Sequence, residues 1–124
     1  MSKVFNDVSV FMAAAGQTIR EDNKEQAALY HKLIVEEYEE FISARQYNDD
    51  VETIDACFDM LWVIVGYMHS RGWDCNGIWD EGALSNLRKI DKETRKVIKR
   101  EDGKILKPEG WTKPDFTKFV KANI

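Results

Sequence analysis

Carboxylates in this sequence fall where a helix would bury them. The stretch Leu33-Ile34-Val35-Glu36-Glu37-Tyr38-Glu39-Glu40-Phe41 holds four glutamates in five positions. At about 100° per residue, Tyr30, Leu33, Ile34 and Phe41 set one apolar face. Glu37 lies in its middle, Glu40 beside it near Leu29 and Leu33, Glu36 at its edge, and Glu39 points away. A solvated acidic run accounts for Glu39 and fails for Glu37. An unpaired carboxylate on a core face costs about 1–5 kcal/mol or takes up a proton, so something positive should meet it. A second stretch repeats the anomaly: Glu52, Asp55 and Asp59 fall within about 60° of one another on an otherwise apolar helix. The helix dipole accommodates Glu52 and Asp55 in the first turns. It does nothing for Asp59, which is followed by Met60-Leu61-Trp62-Val63-Ile64-Val65. Oxygen-only clusters of this kind suit hard divalent ions, Mg²⁺ first and Mn²⁺ second.

Rival chemistries lack their residues. A di-iron bundle needs Glu-x-x-His pairs, but His31 follows Ala28 by three and His69 follows Gly66 by three. Cys57 and Cys75 form no CxxC, which leaves zinc without a ligand set. There is no EF-hand spacing and no P-loop, and Ser43, Ser70 and Ser85 have no base in sequence context. Mg²⁺ held by carboxylates keeps free positions for phosphate oxygens, so a phosphorylated substrate is expected. An acidic protein needs local cations to receive one. They follow the acidic helices, from Arg88 and Lys89 through Lys113; most read as solvated surface, while Asn86 with Lys89, one turn apart, could together hold one phosphate.

The elements that must carry these groups are helices. Residues 1–107 contain no proline, little glycine and almost no strand-like alternation. Periodicity predicts an all-α, four-helix bundle-like fold with a short irregular tail. The first helix runs from about Val4 to Ala15, with Val4, Val8, Phe11, Met12 and Ala15 on one face and Gly16 as its stop. Gln17 to Glu25 connects to a second helix, about Lys24 to Arg45. The third, about Asp50 to Ser70 with Asp49 or Asp50 as cap, is apolar nearly all round through Val51, Ile54, Phe58, Leu61, Trp62, Val65 and Met68. A fourth, capped by Asp74 or Asn76, extends to about Ile90 and packs through Ile78, Trp79, Ala83, Leu87 and Ile90. Asp102-Gly103 between Val97-Ile98 and Ile105-Leu106 signals a small hairpin in the tail.

With 124 residues the chain is expected to be one domain, helical over about 4–90 with a tail over 91–124. A third helix so apolar in so small a chain predicts a homodimer or a dimer of dimers. A net charge of −4 and a pI near 5.2 argue against a nucleic-acid binder. The longest apolar run is too short to span a membrane. An acid at Asp7 before any signal-like stretch, with two isolated thiols, makes the cytoplasm the expected compartment.

Together these stretches resemble the MazG-like, all-α nucleoside triphosphate pyrophosphohydrolases, whose signature is Glu-Glu-x-x-Glu on one helix and Glu-x-x-Asp on the next. Glu36-Glu37-Tyr38-Glu39-Glu40 matches the first half, and the second falls within Val51–Val63. Ser85-Asn86-Leu87-Arg88-Lys89 resembles the family's Asn-x-x-Lys element. Arg100-Glu101-Asp102-Gly103-Lys104 through Pro114-Asp115 resembles the tail of its small bacterial and phage members. One departure stands out: with Asp59 as the family's aspartate, its glutamate falls at position 56, which is Ala. Either Asp55 supplies that ligand, the preferred choice, or Glu52-x-x-Asp55 is a shifted version.

The resemblance implies hydrolysis between the α and β phosphates of a nucleoside triphosphate, giving a monophosphate and pyrophosphate. It implies Glu37, Glu40, Asp55 and Asp59 as metal ligands and Glu36 with Glu37 as catalytic groups, Glu36 positioning water or binding a second metal. Asn86 and Lys89 would hold the phosphates, and Gln17 with Trp62 would meet the base. Two alternatives carry other expectations: a non-catalytic helical dimer that keeps the acids, and hydrolysis of a phosphoribosylated nucleotide.

Overall fold

The computed structural model describes residues 3–120, so Met1, Ser2 and the last four residues of the expected 1–124 domain lie outside the described residues. Four helices follow one another: α1 Lys3–Ala14, α2 Lys24–Gln46, α3 Asp50–Ser70 and α4 Cys75–Leu87, then one 3₁₀ turn at Thr117–Phe119. The chain is all-α, with no strand among the described residues and an irregular C-terminal stretch. It divides into two compact units, Met1–Asn76 and Gly77–Ile124.

In the first unit the helix ends are fixed locally. Asn23 Oδ1 accepts the Gln26 amide at 3.0 Å to start α2. Of the two expected caps for α3, Asp49 serves, its Oδ1 accepting the Glu52 amide at 3.1 Å. Gly72 follows α3 at φ +71°, where a Cβ would meet the backbone of Glu21 at 2.8 Å. The polar connection before α2 is tied down: Gln26 bonds the Thr18 amide and carbonyl and the Ser70 hydroxyl, each at 2.8 Å.

α2 and α3 pack along each other, and α1 packs on α3. The buried residues of α2 are Ala27, Tyr30 and Ala44, a stripe that passes through Glu37. Those of α3 include Ala56, Val63, Gly66 and Ser70, a stripe that passes through Asp59. Small residues on α3 let α2 come close: a Cβ added at Gly66 would lie inside the Tyr30 ring. Val8 and Met12 of α1 are fully buried beside Tyr30, Val63, Val65 and Cys75.

Several expected core residues face outward. Val51, Ile54, Phe58 and Leu61 are all more than half exposed, as are Val4 and Phe11. Size and hydrophobicity pointed to them, but contact with α2 takes the small-residue stripe instead. His69 is more than a helix-end residue: its Nε2 lies 2.9 Å from the Phe5 carbonyl and its Nδ1 3.7 Å from Cys75 Sγ. Cys75 is a buried free thiol and Cys57 an exposed one.

In the second unit α4 stops at Leu87, short of Ile90. The amides of Lys89 and Ile90 bond carbonyls three residues back, at 3.0 and 3.1 Å, tightening the end into a 3₁₀-like turn. Trp79, Leu87 and Ile90 are exposed, contrary to the expected packing face. The expected hairpin reduces to one antiparallel bridge, Lys99 with Ile105, around Gly103 at φ +90°. None of the described helices is long and apolar enough to cross a membrane.

Candidate active site

Each buried stripe of the α2–α3 pair carries one carboxylate, and the pairing brings the two together. Glu37, Glu40 and Asp59 each offer an oxygen, all within 4.8 Å of one another. Glu37 and Asp59 are half-buried, and Glu40 is exposed one turn along α2. Glu37 Oε2 is buried without a hydrogen-bond partner. Burial first, then the neighbouring Glu40 carboxyl and the charges of Asp59 and Asp55, push the Glu37 carboxyl up to about 7. Asp59 moves in the same direction, by burial and then by the charge of Asp55.

The sequence demanded a positive partner for Glu37, and among the described residues no Lys or Arg pairs with any acid of this group; the ion pairs there are Arg71–Asp22, Arg100–Asp102 and Lys118–Glu81. A buried oxygen with no donor, in a purely oxygen donor set where Glu37 and Asp59 are both raised, fits a hard divalent cation.

The other expected site residues lie as follows. Asp55 is exposed and borders the three-acid group, close enough to raise Asp59. With Glu40, Ser43, Ala44, Tyr47, Asp49 and Glu52 it lines a hollow of about 430 Å³. Ala56, where the resemblance led one to expect a glutamate, is buried. Glu36 is exposed on α2. Gln17 Oε1 accepts the Tyr30 hydroxyl at 2.6 Å, a contact the sequence reading missed although a phenol on a core face needs a polar partner. Trp62 is half-buried, edge-on to Phe11 at 5.5 Å and tilted against Phe58 at 5.8 Å, so the exposed aromatics Phe11 and Phe58 join it. In the second unit Lys89 Nζ donates to Asn86 Oδ1 at 3.0 Å, across the helical turn the sequence indicated.

Comparison with known families gives a phosphoribosyl-ATP pyrophosphohydrolase match over residues 10–86, which runs from Val10 within α1 to Asn86 near the end of α4. A search of curated proteins returns no match. The matched stretch covers more than half the sequence and contains both acid-bearing helices. The chain thus belongs to the phosphoribosyl-ATP pyrophosphohydrolase family, within the MazG-like all-α nucleoside triphosphate pyrophosphohydrolases, and is a nucleotide pyrophosphohydrolase rather than a scaffold.

Proposed function

We propose that the chain cleaves a nucleoside or deoxynucleoside triphosphate between its α and β phosphates, releasing the monophosphate and pyrophosphate. The observation that carries this is the orphaned Glu37 Oε2 within the Glu37–Glu40–Asp59 group. Those three acids, with Asp55 at their border, are the residues to hold a divalent ion, Mg²⁺ first and Mn²⁺ second. Such an ion, when bound, neutralises phosphate oxygens and lowers the pKa of water. Glu36 orients the attacking water from the exposed side of α2, and Glu37 supports it. Asn86 and Lys89 hold the phosphates, and the Lys89 ammonium stabilises charge on departing pyrophosphate. Trp62 offers a ring to the base. Gln17, its carbonyl oxygen engaged by Tyr30, offers its amide N–H groups.

A second reading has a specific observation behind it: the matching family acts, by its description, on phosphoribosyl-ATP. A substrate panel separates the two. All NTPs and dNTPs, dUTP and phosphoribosyl-ATP are supplied with Mg²⁺, and monophosphate and pyrophosphate are measured. Turnover of triphosphates and not of phosphoribosyl-ATP is expected; the reverse favours the second reading, and release of orthophosphate alone refutes both.

In the same reading, residues 1–124 act as one domain in the cytoplasm and assemble as a homodimer or a dimer of dimers. Support for assembly comes from the exposed α3 stripe of Val51, Ile54, Phe58 and Leu61.

A further inference from the structure

Residues 88–107 hold nine Lys or Arg against four Asp or Glu, in a chain whose net charge is −4. Two of these cations converge on one ring. Lys89 Nζ lies 5.1 Å from the centroid of Trp111, and Lys107 Nζ lies 5.2 Å from it. The indole is anchored: its Nε1 donates to the Ser85 carbonyl at 2.7 Å, and Ser85 is buried with its hydroxyl bonded to the Gly82 carbonyl at 2.7 Å. The loop under it is closed by the Trp111 amide on the Pro108 carbonyl at 3.1 Å, with Gly110 at φ +78°. Among the described residues neither lysine pairs with a carboxylate. The other partner of Lys89 is the neutral Asn86 amide. Trp111 also lines a cleft of about 880 Å³ with Arg88, Lys92 and Arg95. Two acids also line it: Asp91, whose Oδ1 accepts the Glu93 and Thr94 amides, and Glu109.

A lysine ammonium sits on a flexible four-carbon stem, and an aromatic face limits where it goes. Two ammoniums drawn to one ring repel each other, and no carboxylate among the described residues pairs with either. An anion with several oxygens relieves that repulsion.

We propose that Trp111 is a positioning residue that gathers Lys89 and Lys107 into a two-cation subsite for the phosphate tail, which makes Lys107 a second phosphate-binding residue. The proposal rests on the assignment of Lys89 to phosphate binding above, and the test separates the two. The Mg²⁺-loaded full chain is titrated calorimetrically with inorganic pyrophosphate, and kcat/KM is measured on the best triphosphate of the panel. Lys89→Ala should weaken pyrophosphate binding and kcat/KM at least tenfold. Trp111→Leu should weaken pyrophosphate binding at least fivefold and raise KM more than it lowers kcat. Trp111→Phe, which keeps a ring face and loses the indole N–H, should stay within threefold of wild type. In a Lys89→Ala/Lys107→Ala background, adding Trp111→Leu should change kcat/KM, read by single turnover with excess enzyme, less than twofold. Lys107→Ala, a surface change that leaves folding alone, should weaken pyrophosphate binding at least threefold, while Lys96→Ala changes nothing. If Lys89→Ala is silent, the phosphate assignment fails and the subsite with it. If Lys89→Ala acts as expected but Lys107→Ala is silent, or Trp111→Leu costs the same factor in the doubly substituted background, the assignment stands and the subsite is refuted.

Discussion

Glu37 keeps a carboxylate oxygen out of water with no donor to meet it, an arrangement that costs stability. Its carboxyl and that of Asp59 are raised in the folded state. Folding therefore favours the protonated forms. The stability they contribute is full below the unfolded values, about 4, and is lost as pH rises through the folded value, about 7 for Glu37. Metal-free protein should melt at a lower temperature at pH 8 than at pH 5, and Glu37→Gln should flatten that difference. Mg²⁺ at pH 8 should restore the lost stability, since a cation takes the proton's place. Calorimetry across that range checks all three, and a melting temperature that climbs with pH would contradict the burial argument. Glu37→Ala or Asp59→Ala should abolish turnover and leave a folded chain whose metal-free stability is level or higher. A clear drop in melting temperature would make these acids structural.

The α2–α3 pair works because one partner is thin along its contact. Ala56, Gly66 and Ser70 are small enough for α2 to approach, and that approach carries Glu37 up to Asp59. Gly66 is the tightest point, facing the buried Tyr30 ring. Gly66→Ala should destabilise the protein by about 1–3 kcal/mol, the usual penalty for overfilling a packed core, and lower kcat as the acids move apart. A urea midpoint equal to that of wild type would show that the ring yields freely and that the contact does not set the spacing. The Tyr30 hydroxyl ties the same point to Gln17, so a shift here would also be felt at the residue proposed to meet the base.

The whole molecule leaves a stripe of Val51, Ile54, Phe58 and Leu61 in solvent, repeating at three- and four-residue spacing along α3. The proposed homodimer or dimer of dimers would cover this face, because burying exposed apolar area is what drives association. Light scattering at micromolar concentration should give at least twice 14.4 kDa. Ile54→Asp with Leu61→Glu should bring the mass down to one chain. A monomeric wild type would refute assembly through this face.

Helix number, helix limits to within a few residues, the cap at Asp49, and the inward direction of Glu37 and Asp59 were all legible in the sequence, because periodicity and capping are local properties of the chain. The core of α3 was legible only in part: Val65 is buried as expected, with Trp62 and Met68 packed against the core. Hydrophobicity also selects the large residues 51, 54, 58 and 61, whereas packing buried Ala56 and, further along, Val63, Gly66 and Ser70, and only a partner helix makes that choice. The hairpin signal in the tail was likewise outvoted, down to a single bridge. The family match rests on sequence as well. What only the tertiary structure decided is which acids meet. Three carboxylates from two helices share a space of a few ångströms with one oxygen unpartnered, because the distance between helices is fixed by side-chain volume across their contact and not by the periodicity of either one.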